Sequence, residues 1–152
     1  MNKQIVLASR PTGEPLAGNF RLLEATLPEL AAGEVLVRHH YLSLDPYMRG
    51  RMNEGKSYAE AQRLNEVMVG GTVGEVVASR SAHFQVGDQV VGMGGWQEYQ
   101  LVDGDRRGVL RKLDRSPIPL SAYLGVVGMP GVTAWYGLLL PRPRFFWTRI
   151  WG

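Results

Sequence analysis

Cysteine is absent from the 152 residues of this chain. That absence excludes disulfides, thiol catalysis and every zinc site that needs a cysteine ligand. Histidine is scarce, with three residues at positions His39, His40 and His83. The adjacent pair would point to opposite faces of a strand and would not easily share a metal ion. Surface or half-buried histidines are the simpler interpretation, and we expect no metal.

Long apolar runs are also missing. No stretch approaches the roughly 18 apolar residues of a membrane span, and the first residues lack the apolar segment of a signal peptide. We therefore expect a soluble, cytoplasmic protein with no membrane span. The length corresponds to one domain that can bury a hydrophobic core without disulfides or a metal ion. The 19 glycines predict many tight turns.

Excess charge is confined to the end of the chain. The formal net charge is +3, and the three arginines Arg142, Arg144 and Arg149 account for all of it. Residues 1–141 are therefore neutral overall. A neutral body gives no electrostatic support for nucleic-acid binding.

Seven short alternating or β-branched runs, bounded by glycine, proline or acidic residues, predict strands. They are residues 3–8, 20–25, 34–44, 72–79, 88–93, 97–102 and 109–113. In the third run, Val35, Val37, His39 and Tyr41 share one face, which is the pattern of a strand with one well-buried side. The sequence thus predicts a mainly β protein with short helices.

Helical patterns are few. Residues 57–67 contain good helix formers after a serine and are compatible with either one short helix or an ordered loop. Near the end, Thr133 is a plausible cap for a helix that runs through Leu140, where Pro141 would stop it.

The segment GVVGMPG, residues 125–131, superficially resembles a glycine-rich nucleotide loop. Its spacing is G-x-x-G-x-x-G instead of G-x-G-x-x-G, and no strand of a βαβ unit leads into it. We interpret it as a turn between two helices, the first of which is capped by Ser121 and ends near Gly125 or Gly128.

The most distinctive segment is YLSLDPYMRGRM, residues 41–52. Asp45 and Pro46 set a turn, and Tyr47 follows it. A tyrosine at this place either presents its hydroxyl to a cleft or packs its ring, and the residues alone favour packing.

That segment, together with VMVGGTVGEVVAS, FQVGDQVVGMGGWQEYQLVDG and LGVVGMPGVTAWYGLL, resembles the zinc-independent medium-chain dehydrogenase/reductase superfamily. More narrowly, it is similar to the branch of leukotriene B4 dehydrogenase, prostaglandin reductase and NADPH-dependent curcumin reductase. The motifs occur in order between about residues 3 and 139. The resemblance implies a GroES-like, partly open β-barrel as the substrate-side domain, residues 1–140, with a Rossmann domain forming the other wall of the cleft.

The same resemblance implies chemistry without a metal, since the stretches SLDPYM and VGGTVGEVV lack the cysteine and histidine that hold zinc in related enzymes. Members of the branch reduce the C=C bond of α,β-unsaturated ketones or aldehydes with NADPH. By resemblance, Tyr47 and Tyr58 line the substrate cleft, and Met129 and Thr133 lie near the nicotinamide end of the cofactor. Trp96 is expected to be a structural anchor.

Beyond Leu139 the sequence LPRPRFFWTRIWG no longer resembles the family. We expect residues 141–152 to be a tail produced by out-of-frame translation or gene truncation, or a disordered one; an evolved membrane- or partner-binding tail is the alternative. With most of the NADPH site and the Rossmann domain missing, no complete catalytic set is expected here. The first hypothesis is thus an enone-reductase domain inactive alone; the alternative is a stand-alone GroES-like binding or self-association module, with homo-oligomers formed through the exposed cleft wall or the tail.

Overall fold

Seven strands and two short α-helices make up the computed structural model, which describes residues 1–54 and 60–139. The strands are β1 (Asn2–Leu7), β2 (Phe20–Ala25), β3 (Glu34–Leu42), β4 (Thr72–Ser79), β5 (Gln89–Gly92), β6 (Tyr99–Asp103) and β7 (Leu110–Lys112). The helices are α1 (Tyr47–Arg51) and α2 (Met129–Leu139), with 3₁₀ helices at Ala17–Asn19 and Leu120–Leu124. All seven predicted strands are present, so the prediction of a mainly β protein is confirmed.

The strands form two antiparallel sheets. Five of them lie in the order β6-β3-β4-β5-β7, and β1 pairs with β2 in a separate hairpin. Two irregularities in the pairing of β3 with β4 add curl to the larger sheet, because each bulge bends its strand and increases the local twist. The result is a curled half-barrel, which confirms the expected partly open barrel.

Each sheet contributes to one of two apolar clusters. The first cluster, formed by strands of the five-stranded sheet, consists of Val35, Val37, Val76, Val90 and Val102. A second cluster of Leu7, Met52 and Met68 lies between the β1–β2 hairpin, α1 and the segment that precedes β4, with Phe20 and Trp96 packed against it. The second cluster is therefore the one that fixes α1.

The pattern of β3 differs from the simple alternation predicted for it. Val35 and Val37 are buried as expected, but Leu36 on the opposite side is buried too, and Tyr41 is half exposed. The register shift between His39 and Tyr41 explains the exposure of Tyr41, since a bulge moves the residues that follow it off the buried face.

The prediction that Thr133 caps the last helix is wrong, because α2 already begins at Met129. Two glycines allow the earlier start. A Cβ on Gly128 would overlap the carbonyl of Tyr123, and a Cβ on Gly131 would overlap that of Val126. The backbone thus passes from the 3₁₀ helix into α2 through a turn tighter than any other residue permits.

The loop before β4 is ordered without being helical from residue 60 onward. Gln62 is buried there, accepts a hydrogen bond from the Val69 N–H at 3.1 Å and donates to the Val67 carbonyl at 3.2 Å. Of the two alternatives for residues 57–67, the loop is therefore correct for the described part. The tail 141–152 and Tyr58 lie outside the described residues. Over residues 1–54 and 60–139, no helix has the length and apolar character needed to cross a membrane.

Candidate active-site wall

Tyr47 opens the short helix α1, directly after Asp45 and Pro46. The predicted turn is present, with the Met48 N–H bonded to the Asp45 carbonyl at 3.1 Å, and it continues into one turn of helix. Proline fits the N-terminal end of a helix, because the N–H that it lacks would have no acceptor within the helix there. The next residue, Met48, is buried, whereas the Tyr47 side chain is half-buried. Intermediate burial of Tyr47 is compatible with either interpretation, a hydroxyl at a cleft or a packed ring.

Several elements meet beside α1 at Gly70 and Gly71. A Cβ built on Gly70 would lie 2.7 Å from Leu42 Cδ1 and 3.2 Å from Met48 Cε. A Cβ on Gly71 would lie 3.6 Å from Leu124 Cδ2, in the 3₁₀ helix. The two glycines therefore let the end of β3, the helix α1 and the 3₁₀ helix approach the start of β4 closely.

An apolar rim borders this meeting point. We use the term for three exposed side chains at the end of β3 or just after β3 and β5: Leu42, Leu44 and Met93. Leu44 is 70% exposed and Met93 is 58% exposed. In the sheet, Leu42 pairs with Thr72, which in turn pairs with Gly92, so the rim lies along one end of three neighbouring strands. Because Leu42 and Met48 both approach Gly70, the helix that carries Tyr47 lies next to one end of the rim.

The residues predicted to contact the cofactor lie on a second element. Met129 and Thr133 are four residues apart on α2 and so share one side of it. Met129 is 77% exposed, and no described side chain of α2 is buried. The structure thus separates the predicted site residues into Tyr47 on α1 and this pair on α2, while Tyr58 lies outside the described residues.

His39 has a role that sequence reasoning missed. Its Nδ1 lies 2.8 Å from the Gln97 carbonyl oxygen, so the neutral ring donates this hydrogen bond from Nδ1. Burial lowers the pKa of His39, and the neighbouring His40 lowers it further, while the hydrogen bond to Gln97 opposes the shift. The alternation of β3 placed His39 on the buried side, but its partner, 58 residues away, carried no sequence signal.

His40 has a different partner, as expected for adjacent residues on a strand. Its Nε2 lies 3.5 Å from a carboxylate oxygen of Glu75. Within residues 1–54 and 60–139, no group of three histidine, aspartate or glutamate side chains is arranged to hold a metal ion.

Residues 3–110 match the family described as the N-terminal domain of oxidoreductase. The NADPH-dependent curcumin reductase of Escherichia coli strain K12 is 51% identical over 138 residues, which are 91% of this chain and 39% of that protein. A 2-alkenal reductase (NADP(+)-dependent) from Nicotiana tabacum is 39% identical over 142 residues, covering 90% of this chain and 40% of the relative.

A solved structure shares both sequence and fold. The crystal structure of CurA from Vibrio vulnificus in complex with NADPH is 54% identical, with a TM-score of 0.82, and the match covers 90% of this chain and 40% of CurA. The chain thus spans about two fifths of the length of the relatives it matches. The matched residues, the identities and the shared half-barrel agree with the motif resemblance. This chain belongs to the family of N-terminal oxidoreductase domains, within the medium-chain dehydrogenase/reductase superfamily and its curcumin reductase branch.

Proposed function

We propose that this chain forms the substrate-side wall of an NADP(H)-dependent oxidoreductase that reduces the C=C bond of α,β-unsaturated ketones or aldehydes. One observation carries the proposal: the half-buried Tyr47 belongs to a short helix that meets the Leu42 end of the exposed apolar rim at Gly70. Such a wall offers one hydrogen-bond donor and a surface for the carbon skeleton of an enone. The names of the tobacco and E. coli relatives, a 2-alkenal reductase and a curcumin reductase, support the same substrate class.

Tyr47 has the chemistry that this reaction needs. When NADPH is bound, its nicotinamide supplies the hydride for the β-carbon, and negative charge collects on the carbonyl oxygen. A phenol stays protonated at neutral pH and donates a hydrogen bond to that oxygen. Because the charge is largest in the transition state, a donor fixed in advance lowers the barrier. The burial of Met48 holds the helix that carries this donor.

Met129 and Thr133 fit a contact with the cofactor. Their exposed side chains lie one turn apart on α2, a helix whose side chains are not buried by the described residues. An apolar side chain and a hydroxyl on one exposed helix side suit the ring and the amide of a nicotinamide. The described residues include no phosphate-cradling glycine loop, so the remaining cofactor contacts come, in this proposal, from the part of the relatives that the chain does not match.

It follows that the 152 residues alone do not turn over substrate. We expect the second wall to come from the unmatched three fifths of the relatives, with which residues 1–140 make one cleft. We propose a cytoplasmic location; the chain has no cysteine and thus no disulfide that needs an oxidising compartment.

The test uses the 152-residue chain and a chimera in which the unmatched part of the E. coli relative follows residue 139. NADPH oxidation is followed by absorbance with benzylideneacetone as the enone. We expect no turnover by the chain alone, turnover by the chimera, and a loss of about tenfold or more in kcat for the chimera with Tyr47→Phe. Turnover by the chain alone would refute only its inactivity. A folded chimera without enone reduction would refute the substrate wall itself.

A second candidate is a stand-alone module that self-associates through α2. The observation that favours it is the row of exposed apolar side chains on this helix: Met129, Val132, Trp135, Tyr136, Leu138 and Leu139. An exposed apolar patch of several hundred Å² promotes association with a second copy. Sedimentation equilibrium distinguishes the two candidates: Trp135→Glu converts a concentration-dependent dimer to a monomer if the second is correct, whereas a monomeric wild-type chain contradicts it.

A further inference from the structure

The helix α1 is too short to hold its own conformation. It has five residues, Tyr47–Arg51, and thus little more than one turn. Isolated helices of this length do not form in water, because nucleation fixes several residues for very few hydrogen bonds. Tertiary contacts must therefore define where Tyr47 lies. Two buried methionines supply one set: Met52 belongs to the second apolar cluster, and Met48 packs beside Gly70.

Arg49 supplies a second set of contacts, to the loop that follows β1. Its Nε and Nη2 atoms donate to the carbonyl oxygen of Gly13 at 3.0 and 2.6 Å, and Nη2 also approaches the Pro11 carbonyl oxygen at 3.4 Å. The remaining nitrogen, Nη1, donates to Asn53 Oδ1 at 2.7 Å. Two nitrogens of the Arg49 guanidinium thus join α1 to this loop, and the third bonds to Asn53, just after the end of the helix.

The loop is itself fixed. Pro11 is buried, and Gly13 has a φ of +82°, a left-handed conformation that glycine adopts without strain. Arg10 reinforces the connection in the reverse direction, because its Nη1 donates to the Met52 carbonyl at 2.8 Å, where α1 ends. Two arginines therefore cross between the same two segments, one from each side.

We propose that Arg49 is a positioning residue for the substrate site: it orients α1, and through α1 the hydroxyl of Tyr47. This inference rests on the proposed function, in which Tyr47 lines the enone cleft. The buried side chains of Met48 and Met52 make only non-directional contacts, whereas the two N–H bonds from Arg49 to the Gly13 carbonyl fix the orientation of α1 about its axis. A lysine at position 49 keeps the positive charge but has a single ammonium group instead of the planar set of N–H donors, so it replaces only part of the interaction.

The experiment uses the whole 152-residue chain with ring-labelled tyrosine, observed by NMR. The chain has six tyrosines, and Tyr47→Phe assigns the resonance of interest. The test variants are Arg49→Met and Arg49→Lys, and the matched control is Arg111→Met, an exposed arginine of β7. Each protein is titrated with benzylideneacetone, and its urea unfolding midpoint is measured separately.

We expect Arg49→Met to move the Tyr47 resonance and weaken enone binding about fivefold, the effect of one hydrogen bond, while the tyrosines of the sheet keep their resonances. Arg49→Lys should fall between Arg49→Met and wild type. If Arg49→Met does not fold, the Lys variant alone makes the same comparison. An unmoved Tyr47 resonance, or an equal change in Arg111→Met, overturns the proposal.

The two proposals fail differently in this experiment. If benzylideneacetone perturbs no tyrosine of the wild-type chain, the substrate wall is refuted. The shift of the Tyr47 resonance caused by substitution of Arg49 is measured without ligand. The positioning role of Arg49 is therefore tested independently of enone binding. A loss of enone binding accompanied by a fall in the unfolding midpoint of the same extent in Arg49→Lys and Arg49→Met would indicate a structural role alone.

Discussion

The Nδ1 atom of His39 lies 2.8 Å from the carbonyl oxygen of Gln97, and the imidazole ring lies against Gly94. A Cβ on Gly94 would overlap both His39 and Thr72, so the ring fills the space that the glycine leaves. The Gln97 side chain extends the connection, because its Nε2 donates to the Gly94 carbonyl at 2.8 Å. His39 thus joins the middle of β3 to the segment that leads into β6.

This relationship predicts lower stability in mild acid. Burial lowers the pKa of His39 below its ordinary value of 6.5, so the folded state binds this proton less readily than the unfolded state. Stability is therefore retained above about pH 6.5 and decreases as the pH falls below it. The urea unfolding free energy, measured between pH 7.5 and 5, should show this decrease, and His39→Gln should reduce the slope.

The matched control for His39 is His83→Gln, which keeps the buried ring in place. We expect its slope to match that of the wild type. A wild-type slope that His39→Gln leaves unchanged would show that another group causes the acid sensitivity.

Asp88 predicts a second pH effect, at lower pH. Burial alone would raise the pKa of this carboxyl, but hydrogen bonds from Lys112 at 2.6 Å and from the Gln85 N–H at 2.8 Å, together with the Lys112 charge, hold it below the ordinary 3.8. Its contribution is present above pH 3.8 and is lost as the pH falls through the lowered pKa. We expect Asp88→Asn to cost about 1 kcal/mol at pH 7, since Lys112 is half exposed.

That cost should shrink toward zero in acid, where the wild-type carboxyl is protonated too. Thermal unfolding at pH 7 and below pH 3 measures the difference. Asp114→Asn, at an exposed aspartate, is the matched control and should cost less than about 0.5 kcal/mol at either pH. An Asp88→Asn cost that does not depend on pH would contradict the ionic origin of the effect.

Trp96 was expected to be a structural anchor, and it stacks on Phe20 with ring centroids 5.5 Å apart. Its Nε1 is buried, and no hydrogen-bond acceptor faces it among the described residues. A buried donor without a partner costs about 1–3 kcal/mol. Trp96→Phe removes that donor and keeps a stacked ring, so we expect it to cost less than about 1 kcal/mol. Trp96→Ala should cost about 3 kcal/mol.

Urea unfolding followed by circular dichroism measures these values without relying on the substituted fluorophore. Trp135→Phe, at an exposed tryptophan of α2, is the control and should change stability by less than about 0.5 kcal/mol. Equal losses in Trp96→Phe and Trp96→Ala would contradict this expectation, because they would show that a phenyl ring replaces none of the packing of the indole.

Two glycines predict opposite responses to the same substitution. A Cβ on Gly74 would overlap the Arg38 carbonyl across the β3–β4 pair, so Gly74→Ala should cost about 3 kcal/mol. A Cβ on Gly50, within α1, meets nothing within 4 Å, and alanine favours the helix by about 0.5–1 kcal/mol. Thermal melts of the two variants should therefore shift in opposite directions. A higher melting temperature for Gly74→Ala would contradict this prediction, because it would show that β3 and β4 move apart to accommodate the added methyl group.

The strands were predictable because their signals are local. Alternation and turn residues placed the third predicted strand, 34–44, within two residues of its observed end at Leu42. The bulge after His39 was not predictable, since it depends on how β3 meets β4 and not on β3 alone. The start of α2 was missed for a similar reason: Thr133 is a good cap by type, but the turn at Gly128 had already begun the helix.

The candidate site was predictable to a different extent. The motif resemblance identified Tyr47 and the pair Met129 and Thr133, and their roles remain proposals. Residues alone gave no indication of the contacts of Arg49 with Gly13, because such bonds join positions 36 residues apart. Periodicity records which face a residue occupies, whereas a hydrogen bond between distant loops depends on the completed fold.

The bonds that hold β1 in place have a consequence for the order in which the protein assembles. Asn2 and Gln4 both donate to Gln97, and the Ile5 N–H bonds to the Trp96 carbonyl at 2.8 Å. The first strand is therefore synthesised more than ninety residues before these partners. In that interval β1 can pair with β2 and later with residues 65–68, but an isolated hairpin is marginal in water. The N-terminal end of this chain should thus be among the last parts to become protected from hydrogen exchange.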